Sequence, residues 1–234
     1  MHEYGVTEED IARYAVVMRK HAGLNPYAVF RKPITVEDVL ASRVISPPIH
    51  LFECSTFLTG AACTILASEE AAKKMGADPV FLTGFGESHD PAHFIPHEPG
   101  LSITHFQAVT DAMEEALADA GISRDKIDVA EIYEVFAGPG LMLLEDLGFF
   151  EKGEAPAAVK KGAIDLDGQI PTNPSGGRIC MGHPGAVTPQ LMLMELVEQL
   201  KGEAGDRQVK NARTALVQAE HGVLNGAMIF ILGT

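Results

Sequence analysis

The chain has 234 residues, of which 46% are hydrophobic and 21% charged, so it can bury a sizeable core and form one or two domains. Its 18 basic and 32 acidic residues give a formal net charge of −14, which argues against a general nucleic-acid or anionic-membrane surface. The sequence has no apolar run of bilayer length and no charged-then-apolar leader, and this pattern predicts a cytoplasmic protein.

Cap residues and the helical spacing of apolar residues predict six helices, at residues 8–21, 36–41, 69–75, 105–120, 141–147 and 187–200. Thr7, Thr35 and Ser68 are expected to cap the first three at their N-termini, and Gly121 is expected to end the fourth. Adjacent prolines, Pro47 and Pro48, predict a break between the second and third helices.

Four short apolar runs predict strands, at residues 79–85, 128–132, 213–218 and 227–232. The first is expected to be buried, and a turn is expected at residues 136–140. The last two are joined by a Gly/Asn turn, which predicts an antiparallel pair that closes the sheet. Alternation of strands and helices predicts a layered α/β domain.

Three cysteines, Cys54, Cys63 and Cys180, lack the paired spacing of a disulfide framework, so we expect reduced and buried thiols. No cation is evident beside Cys180, which we therefore interpret as a small packing residue. Three histidines are spaced by four residues, but prolines interrupt the helix that would align them, so we predict no metal site; they are His89, His93 and His97.

The most informative segment is 176–186, in which a Gly-Gly pair precedes Gly-His-Pro-Gly-Ala. Glycine permits sharp turns and close approaches that side chains prevent, and Pro184 fixes φ just before the last predicted helix. Such a loop can present one ring nitrogen of His183 to a ligand while the backbone aligns the other. His183 is therefore the leading catalytic candidate, and a histidine in an ordinary tight turn is the alternative.

Four stretches resemble thiolases in the same order, at residues 33–43, 141–149, 171–186 and 221–227. The third resembles the C-terminal histidine motif, as it occurs in bacterial, archaeal and sterol-carrier-type thiolase-like proteins. The resemblance covers nearly the whole chain, and it implies a thiolase-like layered fold with a mixed sheet covered by helices. Ordered agreement is more specific than any one motif.

Thiolases contain two similar halves, with a loop domain inserted in the first. The resemblance implies that residues 1–52 are the end of the loop domain, 53–76 the end of the first half, and 77–234 the C-terminal half. The first-half core, in which the family carries its nucleophilic cysteine, has no counterpart here. A lone strand and helix would leave a sheet edge and apolar faces exposed. We therefore expect a hetero-oligomer in which a separate subunit supplies the first half, or else a fragment.

The resemblance also assigns roles. His183 matches the histidine that activates the nucleophilic cysteine. Tyr133 replaces an Asn or His that organises an oxyanion site, and Glu134 keeps the acidic position beside it. His221, in the last glycine-rich turn, is a candidate second acid/base. A tyrosine with a pKa of about 10 is a poor base, so the alternative for Tyr133 is a structural tyrosine whose hydroxyl bonds to backbone. The alternative for His221 is a residue that caps a hairpin turn.

The implied reaction is acyl transfer or Claisen-type carbon–carbon chemistry on an acyl-CoA, with coenzyme A as substrate and no bound cofactor. Gly177, Gly182 and Gly222 are the predicted contacts for coenzyme A, because a ligand can approach their backbone closely. Related retro-aldolases carry a tyrosine in a similar motif, so Tyr133 could instead cleave a β-hydroxyacyl-CoA. The chain's histidine at 183 favours the thiolase reaction. A non-catalytic assembly subunit is a third hypothesis, and a zinc-ribbon/OB-fold acyl-CoA-binding subunit is a further expected partner.

Overall fold

The computed structural model of the chain describes residues 1–90, 104–221 and 225–234. Its helices are α1 (Glu8–Gly23), α2 (Val36–Ala41), α3 (Glu69–Lys74), α4 (Gln107–Ala120), α5 (Ala137–Asp146), α6 (Ala155–Lys160), α7 (Gly177–Met181) and α8 (Thr188–Lys201). Its strands are β1 (Val44–Ser46), β2 (Ile49–His50), β3 (Phe81–His89), β4 (Val129–Ile132), β5 (Thr214–His221) and β6 (Gly226–Gly233). Within these residues, every helix is too short or too polar to cross a bilayer.

The predicted helix caps are confirmed. Thr7 and Thr35 each accept a hydrogen bond from the amide three residues later, and the acidic side chain there bonds back to the cap amide. Ser68 accepts the amide of Ala71 at the start of α3. Gly121 ends α4 in the left-handed conformation, with φ of 65°.

A four-stranded mixed sheet forms the centre of the domain, in the order β3-β6-β5-β4. Strands β4 and β5 are parallel, and the other two pairings are antiparallel. The predicted antiparallel pair β5 and β6 is confirmed, but it lies in the middle of the sheet instead of closing it, because β3 pairs with the free side of β6. A mixed sheet covered by helices is the fold class that the sequence predicts.

Helices cover the two faces of the sheet unequally. On one face α4 lies against β3 and β6, so closely that a Cβ atom at Gly84 or Gly86 would overlap the α4 backbone. On the other face α8 packs on β4 and β5, and the core there is built around Met192 and Leu196. The larger core lies on the α4 side and includes α1 and α5.

Two predictions for this part of the chain are wrong. The strand expected at 79–85 begins at Phe81, reaches His89 and is largely exposed, because α4 covers only one of its faces. The turn expected at 136–140 is the first turn of α5. Pro139 fits there because a residue in the first helical turn needs no amide hydrogen, and Gly140 provides the space for the ring of Tyr14.

Residues 57–75, which we name the exposed arm, project from the domain. Residues 58–67 have no regular structure, and the residues just before them form isolated bridges, Cys54 with Phe136 and Phe57 with His183. A strand needs a neighbour, and the described residues provide none for this segment. Four large apolar side chains of the arm are 67% to 88% exposed; they are Phe57, Ile65, Leu66 and Met75. The arm therefore packs little against the rest of the described structure.

All three cysteines are free, but they differ in burial. Cys180 is buried and Cys54 is half-buried, whereas Cys63 is exposed on the arm. The expectation of buried thiols is therefore wrong for Cys63, because the segment that carries it does not pack against the domain.

Candidate functional site

Tyr133 and His183 meet at the carboxyl end of β4. Tyr133 directly follows β4, and its amide donates to Gln218 Oε1 of the neighbouring strand at 2.8 Å. His183 follows α7 and the turn at Gly182, and its amide donates to the carbonyl of Thr56 at 2.8 Å. Tyr133 Oη lies 2.5 Å from His183 Nε2, and the two rings meet edge to face with centroids 5.6 Å apart. The structure thus brings together two residues that stand 50 positions apart in sequence.

The turn that carries His183 requires glycine. Gly182 has a φ of 88°, and a Cβ atom there would overlap the side chain of Leu58. On the open side, the Phe57 ring lies 5.6 Å from the imidazole of His183. The chain from Thr56 to Leu58 therefore forms one wall beside the histidine.

The environment of the pair fixes its protonation. Burial lowers the pKa of His183, and the positive charge of Arg178 lowers it further, so the imidazole is neutral near pH 7. Burial raises the pKa of Tyr133, and the nearby Glu220 adds to this effect, so the phenol keeps its proton. With the imidazole proton on Nδ1, the hydroxyl of Tyr133 donates to Nε2. This arrangement can relay a proton from a substrate hydroxyl through the tyrosine to the histidine.

The side chain of Glu134 is fully buried, and its described hydrogen bond goes to Asn173 and to neither member of the pair. Asn173 Nδ2 donates to Glu134 Oε2 at 2.7 Å, while Oε1 faces Gly177 and has no hydrogen-bond partner in the part of the chain that the structure describes. Burial raises the pKa of Glu134 to about 8, although Arg178 opposes the shift. The carboxyl group therefore carries a proton near pH 7.

A second buried carboxylate, Glu131, was not singled out in the sequence. It accepts hydrogen bonds from the Ser175 amide at 3.1 Å and from Ser175 Oγ at 2.9 Å, and Arg178 Nη2 lies 3.5 Å away. Glu131 and Arg178 have no exposed surface. The available signal was a pair of acidic residues, three apart, in an otherwise apolar strand region.

His221 does not join the pair. Its ring packs against His89, with centroids 5.1 Å apart, over Gly226 on the central strand. Its Nε2 lies 3.5 Å from Glu87 Oε1. The preceding residue, Glu220, points to the other face of the sheet and acts on Tyr133, and burial raises the pKa of Glu220 to about 7. Strand alternation thus separates these neighbours, and Glu220 is the residue that sequence reasoning missed.

The glycines predicted to contact coenzyme A have different surroundings. Gly177 is buried against Glu134 and Asn173, and Gly182 is buried against Leu58, so both serve close internal packing. Gly222 lies outside the described residues. Contact of these glycines with coenzyme A stays a prediction.

The described residues provide neither a reactive cysteine at position 180 nor a cluster of metal ligands. Cys180 is buried, and burial raises its pKa to about 12 even though Arg19 and Arg178 lie near it; these cations could not be seen in the sequence. In residues 1–90, 104–221 and 225–234, no three potential metal-ligand side chains come together. His93 and His97 lie outside the described residues.

Comparison with known proteins finds thiolase relatives. The family model described as "Thiolase C-terminal domain-like" matches residues 86–234. An acetyl-CoA acetyltransferase of Methanothermobacter thermautotrophicus is 35% identical over 231 residues, which are 99% of this chain and 60% of that protein. A steroid side-chain-cleaving aldolase of Thermomonospora curvata is 35% identical over 182 residues, which are 76% of this chain and 46% of that protein.

A solved structure described as "Ltp2-ChsH2(DUF35) aldolase" superimposes on the whole chain, with a TM-score of 0.86 and 29% identity. The match covers 60% of that solved chain. The present chain therefore spans between about half and three fifths of the lengths of these proteins.

Proposed function

Because this chain belongs to the thiolase C-terminal domain-like family, we propose that it supplies the acid–base half of an enzyme that cleaves or forms a carbon–carbon bond in coenzyme A thioesters. The observation that carries this proposal is the 2.5 Å contact between Tyr133 Oη and His183 Nε2. A phenol next to a neutral imidazole is an acid–base pair that needs no cysteine of this chain.

The reaction that this pair supports best is retro-aldol cleavage of a β-hydroxyacyl-CoA. The β-hydroxyl proton passes to Tyr133 Oη while the phenol proton passes to His183 Nε2. The bond between Cα and Cβ then breaks, which gives a carbonyl product and the enolate of the shortened acyl-CoA. The proton held on His183 then returns through Tyr133 to Cα of the enolate, which restores the pair and completes the reaction with no free coenzyme A consumed. Resemblance to a solved aldolase supports this choice.

Thiolytic cleavage is the second candidate. A neutral His183 on a glycine turn suits the activation of a thiol, and an acetyl-CoA acetyltransferase is among the relatives. This reaction needs a cysteine from outside the chain, because Cys180 is buried with a raised pKa and the described contacts of Cys54 and Cys63 do not include His183. It also requires the hydrogen bond between Tyr133 Oη and His183 Nε2 to break, so that Nε2 can accept the thiol proton.

We propose that a thiolase-like first half covers the exposed arm, whether as a separate subunit or as part of a longer chain. The arm presents four large apolar side chains that are 67% to 88% exposed. The solved aldolase is named for two components, Ltp2 and ChsH2, which supports a heteromeric assembly. A further acyl-CoA-binding subunit stays a prediction.

The experiment compares two substrates on the protein purified with every chain that accompanies it. A β-hydroxyacyl-CoA is supplied without free coenzyme A, and a β-ketoacyl-CoA is supplied with it, and acyl-CoA products are identified by mass spectrometry. We expect cleavage of the first substrate only. Tyr133→Phe should reduce the rate by about 10²- to 10⁴-fold, the usual range for a general acid–base group.

Tyr27→Phe is the matched control, because Tyr27 is 75% exposed and its described hydrogen bond is to Asn25 and not to a residue of the pair. Cleavage of the β-ketoacyl-CoA alone, dependent on free coenzyme A and on His183, would replace the retro-aldol proposal with the thiolase reaction. If both Tyr133→Phe and His183→Gln keep full activity, the pair is not catalytic and the chain is an assembly subunit.

A further inference from the structure

Arg178 is a fully buried cation beside the Tyr133–His183 pair. It lies in α7 with no exposed surface. Its Nη2 donates to Ser175 Oγ at 3.2 Å and lies 3.5 Å from Glu131 Oε2. Its Nε and Nη1 have no hydrogen-bond partner among the described residues. Since a guanidinium buried this deeply is costly unless negative charge balances it, the identity of its counterion matters for the site.

Two buried carboxyl groups face this cation. Burial raises the pKa of both Glu131 and Glu134, and Arg178 opposes both shifts. With both groups ionised, the three side chains would hold a net charge of −1 in the interior, whereas one retained proton makes the cluster neutral and less costly. Glu131 accepts two hydrogen bonds from Ser175, whereas Glu134 accepts one from Asn173 and its other oxygen has no hydrogen-bond partner among the described residues. The negative charge therefore belongs on Glu131 and the proton on Glu134.

The backbone of Arg178 also anchors the histidine loop. Its carbonyl oxygen accepts Ser55 Oγ at 2.7 Å and the Gly182 amide at 2.9 Å. Gly182 begins the turn that carries His183. Ser55 directly precedes Thr56, whose carbonyl accepts the His183 amide at 2.8 Å. One residue thus fixes both segments of chain that hold the histidine.

The charge of Arg178 reaches both members of the pair. It lowers the pKa of His183, after burial as the larger cause, and it opposes the raised pKa of Tyr133. The first effect keeps the imidazole neutral, so that Nε2 can accept a hydrogen bond, and the second makes the phenol of Tyr133 a stronger hydrogen-bond donor. Glu220, on β5, is the other charged group that acts on Tyr133, and its effect is the opposite one.

We propose that Arg178 is a positioning residue of this site: balanced by Glu131, it is a fixed buried positive charge, and its carbonyl anchors the loop that holds His183 against Tyr133. What the pair does with substrate rests on the proposed function. The assignment of Arg178 rests on the hydrogen bonds and charges around it.

The test follows the titration of His183 by NMR in the full chain, labelled with ¹³C-histidine and purified in whatever assembly it forms, with His183→Gln to identify the signal. Arg178→Met removes the charge at similar length, and we expect the His183 midpoint to rise by about 0.5 to 1 pH unit. Glu131→Gln removes the counterion and should lower the midpoint by a similar amount. Arg178→Lys keeps the charge and should leave it within about 0.2 pH unit of the wild type. Loosened packing alone would not produce shifts of opposite sign.

Arg207→Met is the matched control, because Arg207 is also a buried arginine, paired with Glu195 and Glu198, and it does not act on His183. Its His183 midpoint should equal that of the wild type. Unchanged midpoints in both Arg178→Met and Glu131→Gln overturn the proposal. If Arg178→Met does not fold, Glu131→Gln decides: a downward shift supports the proposal and no shift overturns it. Because titration needs no substrate, its failure is distinct from a failure of the proposed reaction.

Discussion

The Tyr133–His183 site and the exposed arm are neighbours in space, but they differ in burial and in the contacts that they make within the chain. Residues 171–180 behind the site are all buried, and their polar groups bond to side chains from β4 and α1. The arm starts at Phe57, whose ring lies against His183, and continues with side chains that contact almost nothing. The interior of the site is complete within this chain, whereas its outer wall is not.

This difference indicates how a first half would attach. The outer strand β3 does not offer a fully open edge, because the amides of Phe85 and Glu87 donate to Asp119 and Glu115 of α4. The free edge of β3 is therefore partly occupied by side chains, whereas the lone strand expected within residues 53–76 is absent from the described structure. Apolar contact with the arm, instead of strand pairing at β3, is the mode of attachment that the exposed surfaces favour.

The largest expected effect on stability concerns the interior of the site. Gly177→Ala places a Cβ atom into Glu134 Oε1 and Asn173 Nδ2, at a φ of 66°. We expect the free energy of unfolding to fall by about 3 kcal/mol in a urea titration. Gly185→Ala is the control, since it has the same φ of 66° with nothing within 4 Å, and it should cost about 1 kcal/mol. Equal losses would mean that the contact with Glu134 is loose.

The second effect is the dependence of stability on pH. The folded-state pKa of Glu134, about 8, lies above the ordinary value of 4.5, so the folded chain binds the extra proton between these values. Its contribution is fully present below pH 4.5 and is lost as the pH rises through 8. We expect the free energy of unfolding to fall by about 2 kcal/mol between pH 5 and pH 8.5, and Glu134→Gln to flatten that slope. An unchanged slope in the variant would show that Glu134 is ionised in the folded chain.

The third effect concerns the junction between the two regions. Ser55→Ala removes the hydrogen bond to the carbonyl of Arg178, and we expect a loss of about 1 kcal/mol in thermal or urea unfolding. Ser46→Ala, at an exposed position of β1, is the control and should change nothing measurable. A loss no larger than that of the control would mean that the arm is not anchored through Ser55.

The smallest effect on the isolated chain is expected in the arm itself. Leu66→Ser should change the free energy of unfolding by less than about 0.5 kcal/mol, because Leu66 is 86% exposed. In the assembly with a first half, the same change should weaken association by about tenfold or more. Affinity is measured by titration calorimetry, with the exposed Glu70→Gln as control. A loss in the isolated chain as large as that of Ser55→Ala would show that the arm packs on its own domain.

The elements that the sequence predicted well depend on local contacts. Thr7 and Thr35 bond within three residues of themselves, and Gly121 ends α4 by its own φ. The prediction at 136–140 was wrong because glycine and proline usually break a helix, whereas here they fall within its first turns and leave space for Tyr14. Only the packing of α1 on α5 reveals that need.

Site residues divide in the same way. His183 and Tyr133 were identified from motifs. Their contact arises because the end of β4 and the turn at Gly182 lie next to each other in the fold. His221 was placed in the site by its motif, and the register of β5 turns it towards His89 instead. Arg178 gave no local signal, because a charged residue in a loop is usually exposed.

The sequence by itself determined the helix caps, the order of helices and strands, the family, and the glycine turn that carries His183, because each of these depends on residues close together in the chain. Only the tertiary structure decided that Tyr133 faces His183, that Glu220 and not His221 acts on Tyr133, and that Arg178 is buried next to Glu131. These facts follow from strand register and from burial, which raises the cost of charge and so selects which groups keep their protons.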